Sequence, residues 1–398
     1  MTMPSSSSPA VRYAELLAEA NQIRGVSLWQ DAWRRLKRNW MAMMSLYFLI
    51  GVTIVACVTP LLPLQSPILQ DLKHRQFQAP NFRPVGIDVA FYGRRFEQEL
   101  DQLKARSAAA PTDEREKLTA LVSQMQDAGP YGMLWHKPGP MTRFMIQTRF
   151  KVFGDWCVPS LCGTDNLGRD ILARIFWGAR VSLTVGVVAA LVSLLIGVSY
   201  GATAGYAGGW VDELMMGFVN VLYSIPFIFV VIFLITILSE DSIKKSLEKY
   251  HVDQIMIFYL VIGAIYWLTM SRVVRGQVIS LKHDQFIDAA RTMGASGGRI
   301  IFRHLIPNVM GIVIVYLTLT IPAVMLFEAF LSFLGLGVSP PDVSWGLLVN
   351  EGLQVITPIK IYWWLVLFPG LTLTLTLFAL NFLGDGLRDA LDPRMKNR

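Results

Sequence analysis

The chain has 398 residues, of which 53% are hydrophobic and only 16% are charged, and its mean hydropathy is +0.44. A soluble globular protein does not need this many apolar residues, so the composition predicts a chain that faces a lipid bilayer. The net charge of +7 fits basic loops on the cytoplasmic side of a membrane and gives no support for nucleic-acid binding.

Residues 1–40 are predicted to form a cytoplasmic tail that ends in an interfacial helix. The first 25 residues lack the pattern of a secretory signal. In the next segment an apolar stripe recurs at helical spacing opposite a basic face, which is typical of a helix lying on a membrane surface. An ordinary soluble amphipathic helix is the alternative. The stripe contains Trp29, Trp33, Leu36 and Trp40, and the basic face contains Arg34, Arg35, Lys37 and Arg38.

Six apolar stretches are long enough to cross a bilayer, which takes roughly 20 residues each. They cover residues 41–60, 181–204, 213–238, 254–272, 309–333 and 362–384. The predicted fold is therefore an all-α integral membrane protein with six transmembrane helices. Basic residues before the first span, after the fourth and after the sixth place both termini in the cytoplasm. Residues 181–390 would form the transmembrane core and residues 391–398 a cytoplasmic tail.

The segment 61–180 between the first two spans is predicted to lie outside the cytoplasm and to carry a helical hairpin insert at 66–155. Two short apolar stripes flank a turn at Ala110-Pro111. The insert would either contact another protein or cap its own domain. The first stripe contains Phe96, Leu100 and Leu103, and the second contains Leu118, Leu121, Val122 and Met125.

Two cysteines, Cys157 and Cys162, lie in the same outer segment. An oxidising compartment would permit a disulfide between them around Pro159, with two free thiols as the alternative. The three cysteines and five histidines of the chain show no metal-ligand spacing, so the sequence predicts no metal site.

The motifs of nucleotide-binding and hydrolytic sites are absent from the sequence. No G-x-x-x-x-G-K-[ST] phosphate loop occurs, and neither H-E-x-x-H nor G-x-S-x-G is present. The predicted spans are also nearly free of the ionisable groups that intramembrane catalysis requires. We therefore expect a chain that is not an enzyme and binds no cofactor.

The cytoplasmic loop 273–308 contains two short predicted helices at 283–308. Asp284 is predicted to cap the first helix, and Gly294 to end it in a left-handed conformation. The second helix is predicted to run toward His304 and to stop near Pro307. An exposed apolar ridge in a cytoplasmic loop indicates a protein partner, with a membrane-lying helix pair as the alternative. The ridge would contain Phe286, Ile287, Ala289, Ala290 and Met293.

Four separated strings resemble the C-type permease subunit of bacterial oligopeptide and dipeptide ABC importers. The first is AARTMGASGGRIIFRHLIPN, which contains D-A-A-x-x-x-G from Asp288 to Gly294 and resembles the loop that such permeases insert into their ATPase subunits. Asp288 stands where the family usually has Glu, and His304 and Ile306 replace the family-wide Ile and Leu. The others are GTDNLGRDILARIFWGARVSL at 163–183, FLSFLGLGVSPPDVSWG at 330–346 and GDGLRDALDPR at 384–394.

This resemblance implies a type I ABC importer permease fold in the bacterial inner membrane, in which the chain forms half of a translocation pathway. The implied partners are a second homologous permease, two ABC ATPase subunits that bind ATP and magnesium, and an extracytoplasmic peptide-binding protein. The implied coupling residues are Phe286, Ile287, Asp288, Ala289, Ala290, Arg291, Met293, Gly294, His304 and Pro307.

Glu328 is a carboxylate inside the fifth predicted span, so it is expected either to pair with an arginine or to line the pathway. Glycines and paired prolines then break the helix, and this segment is a candidate outer gate with an ordinary loop as the alternative. The gate candidates are Ser332, Gly335, Gly337, Pro340 and Pro341.

Three other functions stay open. The first is a permease for nickel or another small solute, because related permeases share these motifs. The second is a channel without an energy subunit, and the third is an intramembrane enzyme. The outer insert is longer than the resemblance leads us to expect.

Overall fold

The computed structural model describes residues 28–135, 138–238, 240, 254–338 and 340–391, and most of them are helical. The predicted tails at 1–27 and 392–398 and the connector 241–253 lie outside the described residues.

The chain enters the fold through two consecutive helices, α1 (Leu28–Arg38) and α2 (Trp40–Val58). Asn39 separates them and caps α2, because its Oδ1 accepts a hydrogen bond of 3.2 Å from the backbone N–H of Ala42. The residues of the apolar stripe predicted for α1 do not form one buried face. Leu36 is buried, whereas Trp33 and Trp40 are 46% and 67% exposed.

Residues 59–170 form a small folded unit at the end of α2. It contains α3 (Val89–Ala109), α4 (Thr112–Ala128) and α5 (Pro140–Phe153), with β1 (Val85–Gly86) paired antiparallel to β2 (Trp156–Cys157). Turns of 3-10 helix lie at Thr59–Leu61 and Pro130–Met133. Helices α3 and α4 form a hairpin whose turn lies at Ala110-Pro111, as the sequence predicts.

The central part of the chain consists of α6 (Ile171–Ala207), α7 (Gly209–Ser224), α8 (Phe227–Leu238) and α9 (Gln254–Leu281). The stretch 213–238, predicted as one span, is broken between α7 and α8 by a bend of 84°. Pro226 lies in the break, and proline has no N–H with which to continue a helix.

The C-terminal part consists of α10 (Gln285–Thr292), α11 (Gly297–Phe333), α12 (Trp345–Gln354) and α13 (Trp364–Leu391). A π-helical turn, Ile300–Leu305, lies within α11.

Four helices in the described part of the chain are long and apolar enough to cross a membrane: Trp40–Leu61, α6, α11 and α13. The bent pair α7 and α8 adds a fifth if it counts as one span.

Helix α6 is the centre of the fold and packs along α9. A side chain at Gly201 would collide with the backbone of Ser271, and side chains at Gly197 and Gly205 would crowd Met270 and Arg275. These glycines, four residues apart, therefore let the two helix backbones approach closely.

The 37 residues of α6 correspond to a length of roughly 55 Å. This exceeds the hydrocarbon thickness of roughly 30 Å. The predicted span 181–204 therefore covers only its central part, and the first turns, which include the buried Arg174, pack against the unit 59–170 and α12.

Candidate functional site

The connection between α9 and α11, here called the elbow (residues 284–299), contains eight of the ten predicted coupling residues, and His304 and Pro307 follow it in α11. Gly294 has φ +80° and ends α10, and its N–H donates to the carbonyl of Arg291 at 2.9 Å. The N–H of Ala295 then donates to the carbonyl of Ala290 at 3.0 Å. The predicted left-handed conformation at Gly294 is confirmed, and it reverses the chain between α10 and α11.

The inner face of α10 packs into the core. Ile287 is 0% exposed and Ala290 is 2% exposed, so the prediction that both lie on the exposed ridge is wrong. They are three residues apart and share one helix face. That face belongs to a buried apolar cluster that also contains Ala202 of α6, Val274 of α9 and Leu305 of α11.

The outer face of α10 is exposed and partly apolar. Phe286 is 38% and Met293 is 82% exposed, and Ala289 lies between them on the surface. Asp288 and Arg291 form an exposed ion pair of 3.5 Å, which contributes little to stability. The elbow thus combines a fixed inner face with an open apolar surface.

Two details at the ends of the elbow differ from the sequence prediction. Asp284 occupies the N-cap position of α10, but its side chain makes no capping hydrogen bond. The second helix does not stop near Pro307, because the π-helical turn leads directly into the rest of α11 and proline is tolerated in the first turn of an α-helix. His304 is half-buried, and its carbonyl accepts a hydrogen bond of 2.7 Å from Asn308 Nδ2.

One polar contact joins the elbow to α6, and two further contacts link α6, α9 and α7 beside it. The Arg291 guanidinium lies 5.6 Å from the ring centre of Tyr206 on α6. Lys282 Nζ donates to the carbonyl of Gly205 at 3.0 Å. Arg275 makes two hydrogen bonds of 2.6 Å to the carboxylate of Asp212 on α7. A force on the elbow would therefore act directly on α6, which is linked through Lys282 to the end of α9.

Glu328 is fully buried in α11, and its Oε1 accepts a hydrogen bond of 2.8 Å from Ser332 Oγ. Within the described residues no arginine or lysine forms an ion pair with it, so the predicted arginine pairing is not found there. The Glu328 carboxylate is therefore bound by the neutral hydroxyl of Ser332, one turn later near the end of α11.

The segment after α11 turns back into the protein. Gly335 has φ +76°, and a side chain at Gly337 would overlap Ser332. Pro340 and Pro341 are exposed, after which the chain re-enters the core at Val343, two residues before the first residue of α12, Trp345.

Trp345 anchors α12 against α6. It is 0% exposed, its N–H donates to Ser182 Oγ at 3.1 Å, and its Nε1 donates to the carbonyl of Ile175 at 2.9 Å. The candidate gate segment is therefore tied at both ends, at Ser332 of α11 and at Trp345.

The sequence matches a family model over more than half of its length. Residues 193–397 match the binding-protein-dependent transport system inner membrane component family, and residues 27–80 match the N-terminal TM domain of oligopeptide transport permease C. The chain belongs to this family of ABC importer permeases.

The matched relatives are named as permease proteins of dipeptide or oligopeptide transport systems. The dipeptide transport system permease protein DppC of Bacillus subtilis is 35% identical over 380 residues, 95% of this chain and 90% of that protein. The oligopeptide transport system permease proteins OppC of Haemophilus influenzae and Escherichia coli are each 47% identical over 232 residues, 58% of this chain and 70% and 72% of those proteins.

The permease also contains a buried charged cluster that the sequence did not predict. Asp165 Oδ2 accepts hydrogen bonds from Arg169 Nε at 2.7 Å and from Arg174 Nη1 at 2.8 Å. Glu351 of α12 contacts Arg174 through both oxygens, at 2.5 and 3.1 Å, and contacts Arg169 at 3.3 Å. Burial favours the neutral acid, but the two guanidiniums hold the pKa of Glu351 below its usual range.

This cluster has two carboxylates and two guanidiniums and is therefore neutral as a whole. It joins the turn before α6 to α12, which is more than 170 positions away in the sequence. The motif GTDNLGRD at 163–170 was the sequence signal for this cluster. It contains Asp165 and Arg169, and Arg174 lies four residues after it.

Cys157 and Cys162 are both buried free thiols, so the structure does not contain the disulfide that the sequence allowed. Arg149 lies under Cys157, with Nη2 at 2.9 Å from Sγ. Burial raises the pKa of Cys157, and it raises that of Cys162 to about 12. No group of histidine, cysteine and carboxylate side chains that could hold a metal occurs in the described part of the permease.

Proposed function

We propose that this chain is the C-type permease subunit of an ATP-driven importer for dipeptides or oligopeptides. The matched relatives are named for dipeptide and oligopeptide transport, which favours peptide over nickel as the cargo and a transporter over a channel. The chain would form half of the translocation pathway and a second homologous permease the other half.

The proposed membrane arrangement has six spans: α2, α6, the bent pair α7 and α8, α9, α11 and α13. Both termini and the elbow would lie on the cytoplasmic side, because basic residues are concentrated there. The unit 59–170 would then lie outside, where it could contact the extracytoplasmic peptide-binding protein.

The observation that carries the proposal is the two-sided packing of the elbow. Its inner face is fixed to α6, α9 and α11 through Ile287 and Ala290, and its outer face presents Phe286, Ala289 and Met293. A groove in an ATPase subunit would take up the outer face, as apolar helix faces are recognised in general.

The mechanism requires two packings of the same spans. ATP and magnesium would bind to the two ATPase subunits, and their approach would displace the elbow. The spans would move with it because the elbow shares a buried apolar cluster with α6, α9 and α11. The candidate gate segment would follow α11 through Ser332, so the outer gate would respond to the movement of the elbow. This segment contains Gly335, Gly337, Pro340 and Pro341.

Purification of the tagged chain from its native membrane tests this function. We expect two ATPase subunits and a second permease to co-purify. In vesicles made with the complex, ATP-dependent uptake of a labelled peptide should occur, and labelled nickel should stay outside. A chain that purifies without ATPase subunits and conducts ions would contradict the proposal and favour the channel.

Substitutions at two adjacent alanines distinguish a loss of ATPase binding from a loss of stability. Ala289→Leu enlarges the exposed face, so it should lower ATPase co-purification while the permease remains folded. Ala290→Leu overpacks the core and should cost about 1–3 kcal/mol of stability. Thermal unfolding of the purified chain and the ATPase content of the complex distinguish the two effects. Equal loss of ATPase without destabilisation in both variants would argue against this division of faces.

A further inference from the structure

An apolar cavity of about 300 Å³ lies between α2, α6, α12 and α13. Its walls include Phe48, Gly51 and Val55 of α2, Phe176 and Ala179 of α6, and Trp345 of α12. Phe48 is 37% exposed and Gly51 is exposed, so the cavity opens along α2. No heavy atom lies within 4 Å of a Cβ built at Gly51.

The polar groups in the cavity wall are already satisfied within the protein. Trp345 Nε1 donates to the carbonyl of Ile175, and Thr372 Oγ1 donates to the carbonyl of Phe368 at 2.8 Å. Ordered water needs two to four polar partners, and a peptide backbone needs donors and acceptors. The cavity offers neither, so its chemistry suits a hydrocarbon chain.

A cationic residue of α6, Arg180, follows the cavity-lining residue Ala179 in the chain. It shares a face of α6 with Phe176, four residues earlier. Its guanidinium lies 4.7 Å from the ring centre of Trp177. Among the residues that the structure describes, it has no carboxylate partner.

A guanidinium without an anion is costly in a membrane-spanning helix. The apolar stretch of α6 begins at residue 181, so in the arrangement proposed above Arg180 lies at the outer boundary of the hydrocarbon. This is the level at which phospholipid phosphates are found, and basic pockets between transmembrane helices bind lipid headgroups.

We propose that the cavity and Arg180 form a phospholipid site, with one acyl chain in the cavity and the lipid phosphate on the guanidinium. The lipid would fill the space between α2 and α6 and fix the first span against the core. The level of Arg180 rests on the proposed membrane arrangement, but lipid retention is measured without transport, so the two proposals can fail separately.

Native mass spectrometry of the assembled complex, incubated with phosphatidylglycerol in detergent, tests this site. The unchanged complex should retain the lipid. Arg180→Gln removes a charge-assisted contact and should weaken retention roughly tenfold. Gly51→Leu fills the cavity and should weaken it by a similar factor. Gly311→Leu, at an equally open glycine of α11, should bind as the unchanged complex does.

Three results would overturn the proposal. Unchanged lipid retention in both Arg180→Gln and Gly51→Leu would exclude the site. Displacement of the lipid by inorganic phosphate alone would show that the cavity holds no acyl chain. Cross-linking of Gly51→Cys to the second permease in a complex that retains no lipid would show that a protein helix occupies the cavity.

Discussion

Arg174→Met is expected to destabilise the permease by about 3–5 kcal/mol, because it leaves buried carboxylates without their partner. Arg174 is 1% exposed and contacts both Asp165 and Glu351. With Arg174 removed, Arg169 alone faces two carboxylates and the cluster carries a net charge of −1. Thermal unfolding of the purified complex and the amount of assembled permease in the membrane measure this loss.

The control is the double variant Arg174→Met with Glu351→Leu. It leaves the pair of Asp165 and Arg169, which is neutral and remains linked at 2.7 Å. We expect this variant to recover most of the lost stability, since an ion pair replaced by apolar residues of similar volume is often neutral in cost. If the double variant is less stable than Arg174→Met alone, the loss does not come from unbalanced charge.

Gly294→Val is expected to reduce peptide uptake by roughly tenfold or more while the permease still inserts into the membrane. A residue with a Cβ pays about 1–2 kcal/mol in the left-handed region, and 1.4 kcal/mol corresponds to a tenfold change in population. The space around Gly294 is open, so the penalty is conformational and not steric. Uptake of labelled peptide at equal permease content in the membrane measures the effect.

Gly294→Asn is the matched variant, because asparagine enters the left-handed region more readily than other residues with a side chain. It should retain most of the uptake. If both variants transport peptide at the unchanged rate, the shape of the elbow does not matter for coupling. If both fail equally, the surface of the elbow and not its backbone conformation is sensitive.

The sequence predicted the turn of the elbow but not its orientation. Gly294 directly follows a helical pattern, and a glycine in that position commonly ends a helix in the left-handed conformation. The neighbouring residues alone are therefore enough to predict it. Which side of α10 is buried depends on α6 and α9, whose contacts with Ile287 and Ala290 involve residues far away in the chain. A short helix with apolar residues on two sides gives no local signal for this choice.

The same limit explains the other differences. The cluster residues are charged and neutralise each other only after folding, so a hydropathy profile begins the second span after Arg174. These residues are Asp165, Arg169, Arg174 and Glu351. The bend between α7 and α8 did have a local signal in Pro226, which a profile averaged over a whole span does not register. The helical hairpin and four of the six predicted apolar spans were predictable because they follow from periodicity or apolar composition within one segment.

Cysteine cross-linking at Met293 tests the central claim most directly. In a variant with Cys57→Ser, Met293→Cys should cross-link to an ATPase subunit of the assembled complex and should react with a membrane-impermeant thiol reagent only from the cytoplasmic side. Phe82→Cys, on the exposed surface of the unit 59–170, should react only from the outside. Reaction of Met293→Cys from the outer side, or no cross-link to any ATPase in the intact complex, would contradict the account.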